Sequence, residues 1–194
     1  MKALLLASAA LLATSQAQAI PIAVDFAGTF GGAILSNNPA DISQATSFTF
    51  QPGALWTVSS VAPGAANNTG ITVGSAIGLP TGTFSFTPGN SFTKTFSGAG
   101  GTSFSEALVI TAVDRTDPNF FNLKAAGTAT QTVGTGFDPT AVVFALTLTQ
   151  AGAFASTSAA ISDASRPIPE PATLGLLGAG LLGLGSVRAW RRRD

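Results

Sequence analysis

Apolar and hydroxyl-bearing residues alternate in short runs along most of this chain. The clearest run is Ala141–Thr149. There Val142, Phe144, Leu146 and Leu148 fall on one face, and Ala145, Thr147 and Thr149 on the other. A period of two puts alternate side chains on opposite sides of a strand, so this run predicts a half-buried strand. Phe48-Thr49-Phe50, Leu55-Trp56-Thr57-Val58, Ile71-Thr72-Val73 and Phe84-Ser85-Phe86 repeat the pattern on a shorter scale. Leu108–Val113 is more continuously apolar, as expected of a strand buried on both faces.

Turn-forming pairs punctuate the runs: Asn38-Pro39, Pro52-Gly53, Pro63-Gly64, Pro88-Gly89, Asp117-Pro118 and Asp138-Pro139. No helical apolar stripe interrupts them. The pattern predicts an all-β body, an antiparallel sandwich or jelly roll. Residues 59–82 and 97–103, rich in Gly, Ala, Ser and Asn, are expected to form long mobile loops. The 14 Phe and 2 Trp argue for a packed core, since disordered segments are poor in aromatics.

The two ends follow a different pattern. Lys2 precedes an apolar run from Ala3 to Ala13, and a short polar stretch then leads to Ala17-Gln18-Ala19. A charged start, an apolar centre and a small-residue A-x-A site are the parts of a secretory signal peptide, here a signal helix cleaved before Ile20. Near the other end, Pro169-Glu170-Pro171 introduces an uncharged stretch from Ala172 to Val187. This stretch predicts a single transmembrane helix over about residues 172–190, somewhat short for a bilayer. Arg188, Arg191, Arg192 and Arg193 supply a basic stop that stays on the cytoplasmic side. The chain thus divides into a signal peptide at 1–19, an exported body at 20–166 and a tail at 167–194.

Composition narrows the chemistry of the body. The chain has no Cys, no His and no Tyr, which excludes disulfides, thiolate and histidine-dependent nucleophilic catalysis, and zinc sites of the usual kind. Between residues 20 and 168, four basic residues face seven acidic ones, a net charge of −3. Nucleic-acid binding, which needs a basic surface, is not expected.

Asp114, Asp117 and Asn119 cluster oxygen ligands in a loop, but the spacing is not that of a calcium loop and suits an ordinary turn. Glu106 and the six aspartates of the body contain no pair that the sequence singles out as a glycosidase dyad. Gly98-Ala99-Gly100-Gly101 lacks the lysine of a phosphate-binding loop and reads as a turn. Asn67-Asn68-Thr69 matches a glycosylation sequon that such a composition produces by chance. No catalytic residue, metal site or cofactor is therefore assigned, and the chain is not expected to be an enzyme.

Two features leave alternatives. Trp56 and the phenylalanines could form a stacking platform for carbohydrate, although aromatics in β proteins more often fill the core. Lys94 falls on the same face as Phe92 and Phe96. It reads either as a cation beside aromatics on a ligand-binding face or, the preferred reading, as a charge guarding an edge strand.

Pro169-Glu170-Pro171-Ala172-Thr173, the Leu/Gly span after it and the closing arginines together resemble the PEP-CTERM sorting signal of Gram-negative bacteria. The resemblance implies a substrate of exosortase, a membrane transpeptidase-like enzyme that processes such tails near Pro-Glu-Pro. It also implies passage through the secretion machinery, a transient hold in the inner membrane, and delivery to the cell surface or extracellular matrix. Proteins with such tails are linked to exopolysaccharide and biofilm, so a structural or adhesive role, with polysaccharide as a partner, is expected. The alternatives are a carbohydrate-binding module, expected to show a row of exposed aromatics, and a secreted glycan-active hydrolase, expected to show two carboxylates across a cleft.

Overall fold

A computed structural model describes residues 20–64, 67–151 and 157–166. The expected signal peptide with its Ala17-Gln18-Ala19 site, the Pro169-Glu170-Pro171 motif, the expected span at 172–190 and the expected basic stop lie outside the described residues. Among the described residues no helix is long and apolar enough to cross a membrane.

Among the described residues thirteen strands follow one another: β1 (Ile20–Pro21), β2 (Phe26–Phe30), β3 (Ile34–Ser36), β4 (Ser47–Phe50), β5 (Trp56–Val61), β6 (Ala76–Gly78), β7 (Gly82–Ser85), β8 (Ser91–Ser97), β9 (Ser103–Asp114), β10 (Phe120–Val133), β11 (Phe137–Asp138), β12 (Thr140–Gln150) and β13 (Thr157–Arg166). The body is all-β, as the alternation predicts. Its sheet, however, does not split into the two layers of a sandwich. Eight strands close in the order β10-β12-β13-β2-β5-β6-β8-β9 into an antiparallel barrel. Closure follows from the long strands β9, β10, β12 and β13, which pair consecutively and curl until β2, β5, β6 and β8 bridge the gap. A closed barrel leaves no ring strand with unpaired edges.

The period of two decides what fills the barrel. Phe92 and Phe96 from β8, Phe104, Leu108 and Ile110 from β9, and Val142, Phe144, Leu146 and Leu148 from β12 all point inward and are buried. Val109, between Leu108 and Ile110, is 45% exposed. The Leu108–Val113 run is therefore buried on one face, not on both, because only the lumen side of a barrel wall is covered. The outward positions of β12 and β13 are largely Ala, Ser and Thr. An aromatic lumen and a hydroxyl-rich exterior reverse the arrangement of a membrane-spanning barrel.

A second sheet, β3-β4-β7, closes one end. Its Phe48 packs edge-on against Phe121, with ring centroids 5.0 Å apart, and Phe50 lies 5.5 Å from Trp56. Arg115 fastens this end: its guanidinium donates to the carbonyls of Ser43 and Ala45 and lies 4.9 Å from the Phe121 ring. At the other end β1 pairs in parallel with β11, and Phe137 packs on Phe104 at 5.5 Å. Asn68 anchors the incoming chain there, accepting from the Ala23 N–H and donating to the Pro21 carbonyl.

The expected loops are shorter than their composition suggests. Within 59–82, Ile71 and Thr69 are buried and β6 joins the barrel wall. Residues 97–103 form one tight 3₁₀ turn, Ala99–Gly101, between β8 and β9. Gly100 and Gly101 take φ of +65° and +78° there, a region that disfavours side chains. Gly127 serves a different end: a Cβ at that position would lie 1.8 Å from the Ala107 carbonyl oxygen, so β9 and β10 approach there backbone to backbone.

Candidate functional site

Each of three strands carries one charge on its inward, largely apolar face. Lys94 sits between Phe92 and Phe96 on β8, and Glu106 between Phe104 and Leu108 on β9. Asp163 follows Ile161 on β13. Antiparallel register sets Lys94 directly opposite Glu106. The curl of the barrel brings Asp163 in from the far wall, where it pairs with Phe26 on one side and Phe144 on the other.

The three side chains converge in the lumen. The Lys94 ammonium lies 2.8 Å from Glu106 Oε2 and in direct contact with Asp163 Oδ2, and all three side chains are 0% exposed. The approach to Asp163 is a hydrogen bond. The approach to Glu106 is an ion pair set off the hydrogen-bonding direction, which leaves both Glu106 oxygens without a hydrogen-bond partner, as is Asp163 Oδ1. Phenylalanine rings complete the shell: the ammonium is 4.5 Å from the centroid of Phe26, 5.4 Å from Phe96 and 5.8 Å from Phe144.

Removing these charges from water has a visible electrostatic cost. Burial pushes the Glu106 carboxyl up from 4.5 to about 7; Lys94 opposes the rise and the charge of Asp163 adds to it. Burial also raises the Asp163 carboxyl, against the pull of Lys94 and with Asp25 adding to the rise. One cation flanked by two ionised carboxylates would leave a net negative charge in an apolar lumen. Burial thus holds both carboxyls above the usual carboxylate range.

Lys94 is thus not the guardian of an edge. Its strand lies inside a closed ring, and the side chain points into the barrel. The phase of the alternation carries the signal: a lysine in step with two phenylalanines belongs to the face they bury. Glu106 and Asp163 are in step with their apolar neighbours in the same way. No spacing in the sequence indicates that the three would meet, because the meeting depends on closure between strands far apart in the chain.

The remaining candidates resolve into structure. Trp56 is 2% exposed and packs on Phe30 and Phe50, so it is a core residue and no stacking platform. Among the phenylalanines of the described residues, Phe120 alone is exposed. Asp114 Oδ1 accepts from Thr116 N–H and Asp117 Oδ1 from Asn119 N–H, so both carboxylates close their own turns. Asn67 does likewise for Thr69, whose side chain is buried. Among the described residues no group of three or more acidic side chains is placed to hold a metal ion. A small apolar cavity of about 20 Å³ remains between the barrel and its capping sheet, lined by Phe50, Trp56 and Phe86 among others. It has room for at most about one water.

Comparison with known families matches residues 167–193 to the PEP-CTERM protein-sorting motif. No curated protein and no solved structure matches the chain.

Proposed function

The chain carries a PEP-CTERM protein-sorting motif at residues 167–193, which implies export and processing by an exosortase; on that premise we propose that the barrel is the cargo, a structural or adhesive module delivered to the cell surface or polysaccharide matrix. One observation carries this reading: β13 ends at Arg166, and the sorting motif begins at the next residue. In sequence, the motif directly follows the residues of the barrel's last strand.

In this reading, the Ala172–Val187 span holds the protein in the inner membrane while Arg188 and Arg191–Arg193 stop its passage. Pro169 and Pro171 keep the approach extended, since neither offers a backbone N–H and each restricts the residue before it. Processing at Pro169-Glu170-Pro171 then releases the barrel from the span. A packed lumen supports a structural role over hydrolysis, because Glu106 and Asp163 face a lysine and not a substrate. The Ser- and Thr-rich exterior supports contact with a hydrated polysaccharide.

The test is to express the full chain and its Glu170→Ala variant in a host that has an exosortase, and to read the mature C-terminus by mass spectrometry. The expected result is loss of residues 172–194 from the parent chain and their retention in the variant. Retention in both would overturn the sorting role. Co-sedimentation of the mature protein with exopolysaccharide from the same host tests the adhesive part.

A further inference from the structure

We propose that Lys94 and Asp163 react with each other to form an intramolecular amide bond across the barrel, with Glu106 as the proton-relaying catalytic residue. The bond joins Nζ of Lys94 on β8 to Cγ of Asp163 on β13.

Three geometric facts carry this. The amine and the carboxyl are in direct contact, held by strands on opposite sides of a closed barrel. A second carboxyl, Glu106, lies 2.8 Å from the same nitrogen, within reach to accept a proton from it. All three side chains are 0% exposed among Phe26, Phe96 and Phe144, so water is excluded from the reacting atoms. Fixing the two groups in contact supplies the proximity that an amine and an acid lack in solution.

The environment also sets the direction of reaction. In water the ionised amine and acid are favoured by their hydration. In this lumen the charges are penalised and three carboxylate oxygens, Glu106 Oε1 and Oε2 and Asp163 Oδ1, have no hydrogen-bond partner. A neutral amide removes the Lys94 charge and one oxygen of Asp163 from the core.

The step balances without any further reactant. It starts from the Lys94 ammonium, the Glu106 carboxylate and the protonated Asp163 carboxyl. The ammonium gives a proton to Glu106, and the free amine attacks Cγ of Asp163 to form the Nζ–Cγ bond. A second proton passes from the nitrogen, by way of Glu106, to the departing Asp163 hydroxyl. The Cγ–O bond breaks and one water leaves. The products are a secondary amide, water and a protonated Glu106, a state consistent with the way burial raises that carboxyl.

The position of the link has a mechanical consequence, which rests on the sorting reading. Asp163 lies just before the tail at Pro167. While the tail holds the chain, force applied through it enters the barrel through β13, and beyond the pairs that Ala164–Arg166 make with β12 the amide would pass it to β8. The link itself does not depend on that reading, and its absence would leave the sorting role intact.

The experiment is tryptic digestion and tandem mass spectrometry of the purified, folded full chain. The expected result is no cleavage after Lys94, and a joined species containing Lys94 and Asp163 that is lighter by one water than its two parts. Quantitative recovery of a free peptide ending at Lys94, together with an unmodified peptide containing Asp163, would overturn the proposal. This measurement on the parent chain needs no variant to fold. For Glu106, the Glu106→Gln chain should recover intact Lys94 and Asp163 peptides while its circular dichroism matches the parent; undiminished linkage there would overturn the relay role.

Discussion

Lys94 stands opposite Glu106 in the register of β8 and β9, and its ammonium lies 2.8 Å from Glu106 Oε2 with neither side chain exposed. Before the amide forms, the cation is what makes two buried carboxyls tolerable. Lys94→Met removes it and leaves Glu106 and Asp163 without a counter-charge. Breaking a buried ion cluster from one side typically costs about 3–5 kcal/mol. Replacing all three residues together (Lys94→Met, Glu106→Leu and Asp163→Leu) removes the charges as well as their attraction. Urea denaturation should therefore rank the triple variant above the single one. The reverse order would show that the carboxyls find other partners once the lysine is gone.

The same burial predicts a pH dependence for a chain kept unlinked by Lys94→Arg, which retains the cation but cannot form the amide. In the folded state Glu106 is raised from 4.5 to about 7, and Asp163 is raised as well. The groups facing them are the residue at 94, each other and Asp25. A raised carboxyl means that the folded protein holds a proton the unfolded chain has already released. This contribution to stability is complete below 4.5 and is lost as pH rises to about 7. For Glu106 alone the loss is on the order of 3 kcal/mol. Denaturation midpoints should fall across that interval and level off above it; a midpoint that climbs with pH would contradict the burial assigned here.

The alternation made the barrel wall legible but not its closure. Val142, Phe144, Leu146 and Leu148 share a face because a strand's period is two, and that face proved to be the lumen. Whether such strands stack as two sheets or close into one ring depends on which distant strands pair, and β13 with β2 is a contact across more than half the chain. The charge cluster was hidden for the same reason. Lys94, Glu106 and Asp163 each announced burial by their phase, yet their convergence is a property of the ring. The sorting tail, by contrast, is a linear feature read by a partner enzyme, so contiguous residues suffice to recognise it.

Trp56 offers a direct check on core against ligand surface. Its ring lies 5.1 Å from Phe30 and 5.5 Å from Phe50, while its Nε1 has no hydrogen-bond partner. Trp56→Ala should destabilise the barrel by about 3–5 kcal/mol through the cavity it leaves. Trp56→Phe keeps an aromatic ring in place and removes an N–H that bonds to nothing, so its cost should stay below about 2 kcal/mol. Thermal unfolding measures both. Polysaccharide co-sedimentation should be unchanged in the Phe variant, whereas a large loss of binding without a loss of stability would return Trp56 to the surface.

Arg115 tests how the capping sheet is held to the barrel. Its guanidinium donates to the carbonyls of Ser43 and Ala45, and so fixes the 3₁₀ turn Ile42–Gln44 over the end where Phe121 lies. Arg115→Met keeps an apolar stem over Phe121 but loses the donors. Hydrogen bonds from a charged donor are worth about 1.5–3 kcal/mol, so the cap should loosen while the ring persists. Amide hydrogen exchange would locate the effect: faster exchange at Ala45, whose N–H donates to the Ile42 carbonyl, with little change in β9, β10 and β12. Arg115→Lys should recover only part of the protection, because a single ammonium does not reproduce the planar fork of a guanidinium. Equal acceleration throughout the barrel would mean instead that cap and ring unfold as one unit.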